Sequence, residues 1–342
     1  MSGNEALVSV CCLGYNHGKF ITDNIEAIWN SDYKDVEIIV VDDGSKDNSG
    51  EILKDLQAKS PLPMKVILQE NTGNIGYNFN VALRQAKGQY ITFIALDDVL
   101  KSDTIRKVME ILKADDKLAF VASSVIQGID DNGKKCKGVP PLKLNSVSHP
   151  TVNDLLELEY AEFGGFYIQG TFFRKEVIDV VGGFDEDMTG DDIILRTKVL
   201  KYMEQNPRWT FKILAETLCY YRQHDTNIHY NSLRQVRIVA EYLERYWQKR
   251  ENPRNFVGWV HNTLRQMPKN RWIELFGINK RTLSCLAEPD ILDLLTKPEN
   301  QEKIVLKIPL IITVKRIKNY IKKEKQIVIS ILGKEFRYTK KK

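Results

Sequence analysis

The chain has 342 residues, of which 43% are hydrophobic and 28% charged, and it can bury a large core in one large domain or two small ones. This composition excludes disordered, fibrous and disulfide-framework proteins, and the five scattered cysteines favour a reducing compartment. The N-terminus lacks the pattern of a signal peptide, and no apolar run reaches the length of about 18 residues that spans a bilayer. We therefore expect a cytoplasmic protein.

The charge is distributed unevenly along the chain. The net charge of +5 combines a body, residues 1–300, whose net charge is −5, with a C-terminal tail, residues 301–342, that holds 13 Lys or Arg and 3 Glu. Because the excess of basic residues is confined to this tail, the sequence does not indicate a nucleic-acid-binding protein.

Strands and helices alternate over the first 125 residues. Runs of β-branched and other apolar residues predict buried strands at 6–13, 36–41, 64–69, 89–96 and 118–125. Between some of these runs, apolar residues recur with helical spacing, as at Ile21, Ile25, Ile28 and at Ile105, Val108, Met109, Leu112. This alternation predicts an α/β fold with a mostly parallel sheet and helices on both of its faces.

The second half of the chain is less regular. It contains a predicted helix near 190–204, a predicted strand near 209–214 and mainly helical patterns after His224. We expect three regions: a domain over 1–228, a smaller helical region over 229–300 and the basic tail.

Polar residues follow four of the predicted strands, in LGYNHG (13–18), DDGS (42–45), ENTGNIG (70–76) and LDD (96–98). In open α/β sheets, ligands bind beyond the carboxyl ends of the strands. The chain has neither of the glycine-rich motifs G-x-x-x-x-G-K-[ST] and G-x-G-x-x-G, so a phosphorylated ligand would need another source of positive charge, most simply a divalent cation. The lack of the second motif also disfavours a nicotinamide dehydrogenase.

Asp97 and Asp98 are adjacent carboxylates at the end of an apolar run. Mg²⁺ or Mn²⁺ is often held by one or two carboxylates, while substrate phosphates and water fill the remaining positions. In the alternative interpretation, Asp98 caps the following helix and Asp97 is solvated. The pair alone does not decide between these two interpretations.

Seven segments together resemble family 2 glycosyltransferases of the GT-A fold, most of all the bacterial members that build capsule or lipopolysaccharide O-antigen sugars. The segments are VSVCCLGYNHGKFI, VEIIVVDDGSKDNSGEIL, ENTGNIGYNFNVAL, KGQYITFIALDDVL, GTFFRKEVIDVVGGFDE, GDDIILRTKVL and YYRQHDTNIH. They occur in the order and spacing of the family and cover residues 6–229. The resemblance implies a doubly wound mixed sheet in a GT-A domain over 1–228, followed by the helical region and the basic tail.

The resemblance implies a donor-binding site at the first strand ends. Backbone groups from Leu13 to Tyr15 would hold the nucleotide base and ribose, and Asp43 would hydrogen-bond the base edge. The implied donor site is completed by Asn71, Gly73, Asn80 and Asp97. A backbone conformation with positive φ explains Gly73 equally well.

The resemblance also implies a site for Mn²⁺ or Mg²⁺. Its metal ligands would be Asp98, Asp97 and His224. Many relatives have D-x-D-D at this point, whereas this chain has Ala95 in place of the first acid, so a contact from that carboxylate to the donor ribose is lost. Taken alone, a histidine such as His224 would be assigned to the surface or to packing. We assign His17 to packing, and Arg222 either faces the phosphates or forms a structural ion pair.

Asp191 and Asp192 match the acidic pair from which the family takes its catalytic base. A helix N-terminus keeps a carboxylate ionised, as a general base must be. Asp192 is the first choice, because Leu195 and Lys198 then fall where the family has an apolar and a basic residue. Asp191 is the second choice, and in the alternative both residues only cap the helix.

The resemblance thus implies an inverting, metal-dependent glycosyltransferase of the hexosyltransferase type. It would move a sugar from a nucleotide-diphosphate donor to a hydroxyl group of a glycan or lipid-linked acceptor in cell-surface polysaccharide synthesis. The alternative, suggested by Ala95, is a nucleotide-sugar-binding scaffold protein whose catalysis is impaired.

The basic tail has its own hypothesis. Residues 307–326 interleave apolar residues with lysines, and the segment that follows them suits a hairpin around Gly333. Such a segment suits the anionic inner face of a cell membrane, where the protein would be peripheral. The alternative is a solvated charged helix plus a hairpin packed on the helical region.

Overall fold

The computed structural model describes residues 6–137, 142–225 and 231–296, together with the backbone of strands in the C-terminal tail. Contacts within the chain divide it into two compact units, Met1–Trp259 and Val260–Lys342. The boundaries expected after residues 228 and 300, between the domain, the helical region and the basic tail, stay a prediction.

A mixed β-sheet forms the centre of the first unit. In the described part of the chain its strands are β1 (Val8–Gly14), β2 (Val36–Asp42), β3 (Met64–Leu68), β4 (Tyr90–Ala95), β5 (Val99–Leu100), β6 (Leu118–Ile129), β7 (Tyr167–Arg174) and β8 (Thr210–Arg222). They lie in the order β3-β2-β1-β4-β7-β6-β8-β5. The pairs β1–β2, β1–β4, β2–β3 and β6–β8 are parallel, whereas β7 runs antiparallel to both β4 and β6.

The parallel part of this sheet is where the apolar runs of the sequence lie. Every residue of β1 is buried, and β2 has one partly exposed residue, so these strands have no solvent-facing alternation. The strands predicted from residues 6–125 match β1 to β4 and the start of β6 to within a few residues. The predicted α/β fold with a mixed sheet is therefore confirmed.

Helices pack around the sheet and continue into the second unit. Those described are α1 (Ile21–Trp29), α2 (Ser49–Lys59), α3 (Ile75–Leu83), α4 (Thr104–Ala114), α5 (Val152–Ala161), α6 (Lys175–Val181), α7 (Asp192–Gln205), α8 (Ser232–Tyr246), α9 (Arg254–Gln266), α10 (Trp272–Phe276), α11 (Lys280–Ser284) and α12 (Pro289–Thr296). In α4 the residues with helical spacing, Ile105, Val108, Met109 and Leu112, are fully buried in the core. Among the described residues, no helix has the length and apolar character needed to cross a membrane.

The described part of the tail is an antiparallel sheet. Its strands are β9 (Lys307–Ile308), β10 (Ile312–Asn319), β11 (Glu324–Ile331) and β12 (Lys334–Lys340), in the order β12-β11-β10-β9. The charged helix considered for this segment is therefore wrong over Ile312–Asn319. This segment contains Ile312, Thr313, Val314 and Ile317, and β-branched residues of this kind favour strands over helices.

The start of β4 depends on a close approach between Gly88 and β1. A Cβ atom at Gly88 would lie 2.6 Å from both the backbone nitrogen and the Oγ of Ser9, and 2.8 Å from the carbonyl oxygen of Leu7. The N–H of Gly88 also donates to Ser9 Oγ at 2.8 Å. Only glycine leaves room for this contact.

We expect Gly88→Ala to lower the free energy of unfolding by about 1–3 kcal/mol, because the added methyl group forces β4 away from β1. Urea denaturation followed by circular dichroism measures this change. The control is Gly258→Ala in α9, where the described residues leave open space around a Cβ atom. Because alanine favours a helix more than glycine does, this change should raise the free energy of unfolding by up to about 1 kcal/mol. Equal stabilities for the two variants would contradict this interpretation.

Candidate active site

Asp97 and Asp98 lie in a turn between β4 and β5, at the carboxyl end of β4. The N–H of Asp98 donates to the carbonyl oxygen of Ala95 at 3.1 Å, which closes the turn. The Asn24 side chain of α1 donates to the carbonyl oxygens of Ala95, at 3.1 Å, and Asp98, at 2.7 Å. Because β5 comes before α4 and Asp103 is the N-cap residue of α4, the alternative that Asp98 caps this helix is wrong.

Asp97 meets two histidines from distant parts of the chain. Its Oδ2 lies 3.0 Å from His224 Nε2, just beyond β8, and 3.7 Å from His17 Nε2, in the loop after β1. The possible ligand atoms of His17, Asp97 and His224, which we call the His-Asp-His cluster, all lie within 4.8 Å of one another. His17 also contacts the ring of Phe20 edge-on, so the packing assigned to it from the sequence is only part of its environment.

The His-Asp-His cluster has the chemistry of a divalent metal site. Among the described residues, Asp97 Oδ1 and His17 Nδ1 are buried without a hydrogen-bond partner. Burial lowers the pKa of His17, which favours the neutral imidazole that a metal requires. Burial alone would raise the pKa of Asp97, but its hydrogen bond with His224 and the charges of the two histidines produce a net lowering. A carboxylate beside two imidazole rings therefore fits a cation that accepts both oxygen and nitrogen ligands.

Asp98 lies outside the His-Asp-His cluster. Its side chain is almost fully buried, and its Oδ1 accepts a hydrogen bond from the backbone N–H of Arg222 at 3.0 Å. Burial and the charge of Asp97 raise the pKa of Asp98 well above its usual value, although the hydrogen bond and charge of Arg222 oppose this shift. The structure thus brings Asp97 and His224 together, as expected for the metal site, and gives Asp98 a different environment.

Arg222 holds the edge of the site together. Its fully buried guanidinium donates from Nε to the carbonyl oxygen of Asp97 at 2.8 Å, and from Nη1 to those of Asp130 and Asp131 at 2.9 and 3.1 Å. Its Nη2 forms an ion pair with Asp23 of α1 at 2.9 Å. Of the two roles considered for Arg222, these contacts match the structural ion pair.

Asp43 organises the loop expected to lie beside the donor. Its Oδ1 accepts hydrogen bonds from the N–H of Thr72 at 2.8 Å, and its Oδ2 accepts from the N–H of Gly73 at 3.0 Å. Asn71 Nδ2 donates to the backbone carbonyl of Asp43 at 2.8 Å, and Gly73 has φ +64°, which glycine adopts without strain. The structure therefore brings together Asp43, Asn71 and Gly73 as one loop anchored on β2.

The other residues expected at the donor are dispersed along this edge. The carbonyl oxygen of Leu13 accepts a hydrogen bond from the N–H of Leu96, while Tyr15 is 43% exposed. Asn80 is buried and clamps Phe184, because its Oδ1 accepts from the Phe184 N–H at 3.0 Å and its Nδ2 donates to the Phe184 carbonyl at 2.9 Å. Tyr15 thus remains available for a ligand, whereas the side chain of Asn80 is engaged within the fold.

Asp191 and Asp192 lie at the start of α7, as the sequence predicts. Asp191 is the N-cap residue and Asp192 is the first helical residue, with 30% of its side chain exposed. Burial and the charge of Asp191 raise the pKa of Asp192, against the charge of Arg196, whose Nη1 lies 3.8 Å from Asp192 Oδ2. The charge of Asp192 also raises the pKa of Asp98, which indicates that the two acidic pairs lie near each other.

Comparisons with known proteins agree with this architecture. The sequence model described as Glycosyl transferase family 2 matches residues 9–179. The GalNAc(5)-diNAcBac-PP-undecaprenol beta-1,3-glucosyltransferase of Campylobacter jejuni is 30% identical over 196 residues, which cover 57% of this chain and 60% of that relative. Against three further curated glycosyltransferases, the matches cover 66%, 34% and 68% of the relative. Several curated relatives are thus matched over less than two thirds of their length.

Solved structures share the fold at low sequence identity. Residues 1–349 of TarS from S. aureus, in complex with UDP-GlcNAc, match 98% of this chain and 99% of that chain with a TM-score of 0.56 and 15% identity. The mannosyltransferase PcManGT of Pyrobaculum calidifontis, in complex with GDP-Man and Mn²⁺, has a TM-score of 0.53 and 17% identity over 86% of this chain and 77% of that chain. These likenesses show the GT-A fold.

We expect the protein to bind Mn²⁺, and expect His17→Ala, Asp97→Asn and His224→Ala each to weaken this binding by at least about tenfold, since each removes one ligand atom. Titration of free Mn²⁺ followed by electron paramagnetic resonance measures the affinity. The exposed residue His149 supplies the control, because His149→Asn leaves the His-Asp-His cluster intact. Wild-type affinity in all three cluster variants would show that the metal lies elsewhere.

Proposed function

Because the chain belongs to glycosyltransferase family 2, we propose that it is an inverting glycosyltransferase, which moves a sugar from a nucleotide-diphosphate donor to a hydroxyl group of a glycan or lipid-linked acceptor. The observation that carries this proposal is that the charge of Asp192 acts on Asp98, the neighbour of Asp97 in the His-Asp-His cluster, so that two kinds of centre lie near each other. The His-Asp-His cluster suits a metal-bound diphosphate, and the acidic pair Asp191–Asp192 suits removal of a proton.

Mn²⁺ is the cation that we propose for the His-Asp-His cluster. Mg²⁺ prefers oxygen ligands, whereas a cluster with two imidazoles and one carboxylate suits a cation that also accepts nitrogen. The complex of PcManGT with GDP-Man and Mn²⁺ supports this choice in a protein of the same fold. When bound, such a cation offsets the negative charge that develops on the departing diphosphate.

Asp192 is the base in this proposal. Its carboxylate accepts the proton of the acceptor hydroxyl while that oxygen forms a bond to the anomeric carbon. The bond from this carbon to the diphosphate oxygen breaks on the opposite face, which inverts the configuration. A raised pKa makes the ionised form of Asp192 a stronger base than an ordinary aspartate, which suits proton removal near neutral pH.

The edge around Tyr15 and the loop anchored by Asp43 is our proposed donor site. Tyr15 is exposed there, and Asp43 fixes the backbone of Gly73, so a nucleoside would meet a rigid loop. The expected hydrogen bond between Asp43, as acceptor, and the base edge stays a prediction. The TarS complex with UDP-GlcNAc supports a nucleotide-sugar donor, and the Campylobacter relative, named for a PP-undecaprenol acceptor, supports a lipid-linked acceptor in cell-surface polysaccharide synthesis.

We expect Asp192→Asn to reduce turnover by at least about 100-fold, because the amide cannot accept the proton. The assay incubates the protein with Mn²⁺ and UDP-, GDP- and dTDP-sugars, and measures release of the nucleoside diphosphate. The control is Glu204→Gln, an exposed acid on the same helix, which should leave the rate unchanged. Binding of a sugar nucleotide without any turnover by the wild type would instead favour the scaffold protein suggested by Ala95.

The pH dependence identifies which acid is the base. Because the charge of Asp191 raises the pKa of Asp192, Asp191→Asn should lower it and shift the acidic limb of the pH–rate profile to lower pH. Abolished turnover in Asp191→Asn, together with near-normal turnover in Asp192→Asn, would assign the base to Asp191.

We propose further that the tail binds an anionic membrane surface. The backbone register places Lys318 opposite Lys325 and Lys325 opposite Lys340, so that lysines occupy one row across three strands. The tail holds 13 Lys or Arg and 3 Glu, and a segment with this excess of basic residues is attracted to an anionic membrane surface.

We expect the triple variant Lys318→Glu, Lys325→Glu, Lys340→Glu to lose most binding to vesicles that contain phosphatidylglycerol, since each basic residue near such a surface contributes about 1 kcal/mol. Co-sedimentation measures the bound fraction. A control with the same change in net charge replaces three exposed lysines of the first unit, Lys54, Lys87 and Lys117, by glutamate. Equal losses in both variants would mean that net charge, and not the tail, causes binding.

A further inference from the structure

A buried ion pair lies behind the N-terminus of α7. Arg196 of α7 and Glu159 of α5 have side chains that are 6% and 0% exposed. The guanidinium donates from Nε to Glu159 Oε1 at 2.8 Å and from Nη2 to Glu159 Oε2 at 3.2 Å, so that two parallel bonds fix its plane. This plane brings Nη1 to 3.8 Å from Asp192 Oδ2, one helical turn earlier.

The chain after α5 is shaped around this pair. Phe163 has φ +62°, a left-handed conformation that costs free energy in a residue other than glycine, and its carbonyl oxygen accepts a hydrogen bond from Arg196 Nη2 at 3.3 Å. The N–H of Gly165 donates to Glu159 Oε1 at 2.8 Å, and a Cβ at Gly165 would lie 3.1 Å from that oxygen. The backbone thus holds both members of the ion pair in place.

Stability is a weak explanation for this arrangement. The desolvation of two buried charges offsets most of their attraction, and an apolar pair of similar size is often as stable or more so. Together with the strained backbone at Phe163, this favours a role at the neighbouring acidic pair.

We propose that Glu159 and Arg196 are positioning residues for Asp192. Glu159 fixes the plane of the Arg196 guanidinium, and Arg196 Nη1 holds the Asp192 carboxylate in the orientation that accepts the proton of the acceptor. This inference rests on the proposed role of Asp192 as the base.

Glu159 has a second effect, because its charge offsets that of Arg196. A lone arginine beside Asp192 would lower the pKa of that carboxylate and weaken it as a base. The charged groups that act on Asp192 are its neighbour Asp191, Arg196 on α7, Glu159 on α5 and Asp98 in the turn after β4. Arg234 on α8 acts on Asp191.

The test measures donor hydrolysis against pH with Mn²⁺ and UDP-GlcNAc or GDP-mannose, whichever the wild type hydrolyses faster. We expect Arg196→Met to lower kcat by about 10- to 100-fold at unchanged donor KM, because the carboxylate loses its orientation. The acidic limb should move to higher pH in Arg196→Met, which removes a positive charge, and to lower pH in Glu159→Gln, which removes a negative one. The double variant should be no less active than Arg196→Met alone, since Glu159 acts through Arg196.

The chain offers a matched control on the same helix. Glu157 of α5 forms a similar pair of bonds with Arg250, at 2.7 and 2.8 Å, but this pair is exposed. Glu157→Gln should leave kcat and the acidic limb unchanged. A purely structural role for Glu159 would lower the melting temperature of Glu159→Gln but leave its acidic limb where the wild type has it, and that result would overturn the proposal.

The outcomes separate this inference from the proposed function. If the wild type hydrolyses no UDP-, GDP- or dTDP-sugar, both fail; if it hydrolyses one of them and the acidic limb of Glu159→Gln measured with that donor stays in place, only the inference fails. Should Arg196→Met not fold, Glu159→Gln decides alone, because a shift of its limb to lower pH supports the proposal and an unmoved limb overturns it.

Discussion

The site depends on one buried guanidinium, that of Arg222, which joins the turn after β4 to the backbone at Asp130 and Asp131. Arg222 donates to three backbone carbonyls, at Asp97, Asp130 and Asp131, and its own N–H binds the carboxylate of Asp98. Two adjacent carboxylates at a strand end repel each other and resist burial, and the positive charge of Arg222 counters both effects. This interaction lets the turn after β4 present Asp97 to His17 and His224 while Asp98 is packed away.

The two acidic pairs share a design in which neighbouring charges give adjacent carboxylates different environments. In the first pair, Asp97 interacts with histidines and Asp98 with the backbone of Arg222. In the second, Asp192 faces Arg196, whose charge is itself offset by Glu159. Two carboxylates can have different roles when their surroundings give them different pKa values. Here those surroundings come from α5, α7, β4 and β8.

Local patterns were enough to predict β1 to β4 and α4, because these strands are apolar runs and α4 has a regular apolar face, but they did not predict β7, which makes the sheet mixed. They failed where a feature depends on distant residues. Nothing near His17 marks it as a partner of Asp97, and the choice between Asp97 and Asp98 depends on Arg222, far along the chain. Strand β10 was missed because lysines interleaved with apolar residues suit an amphipathic helix as well as a strand.

The register of β8 has a consequence for how the length of this chain can vary. The end of β8 lies between β6 and β5, and it fixes Arg222 as well as the entry to His224. A single residue added within this strand would turn the side chains that follow it to the opposite face of the sheet. The position of Arg222 would then be taken by a neighbouring residue that cannot make the same contacts. Exposed turns that make no contact with the site have no such coupling to alternation, since loops absorb extra residues at little cost. Insertions compatible with the fold therefore belong in such turns, and the last residues of β8 require constant length.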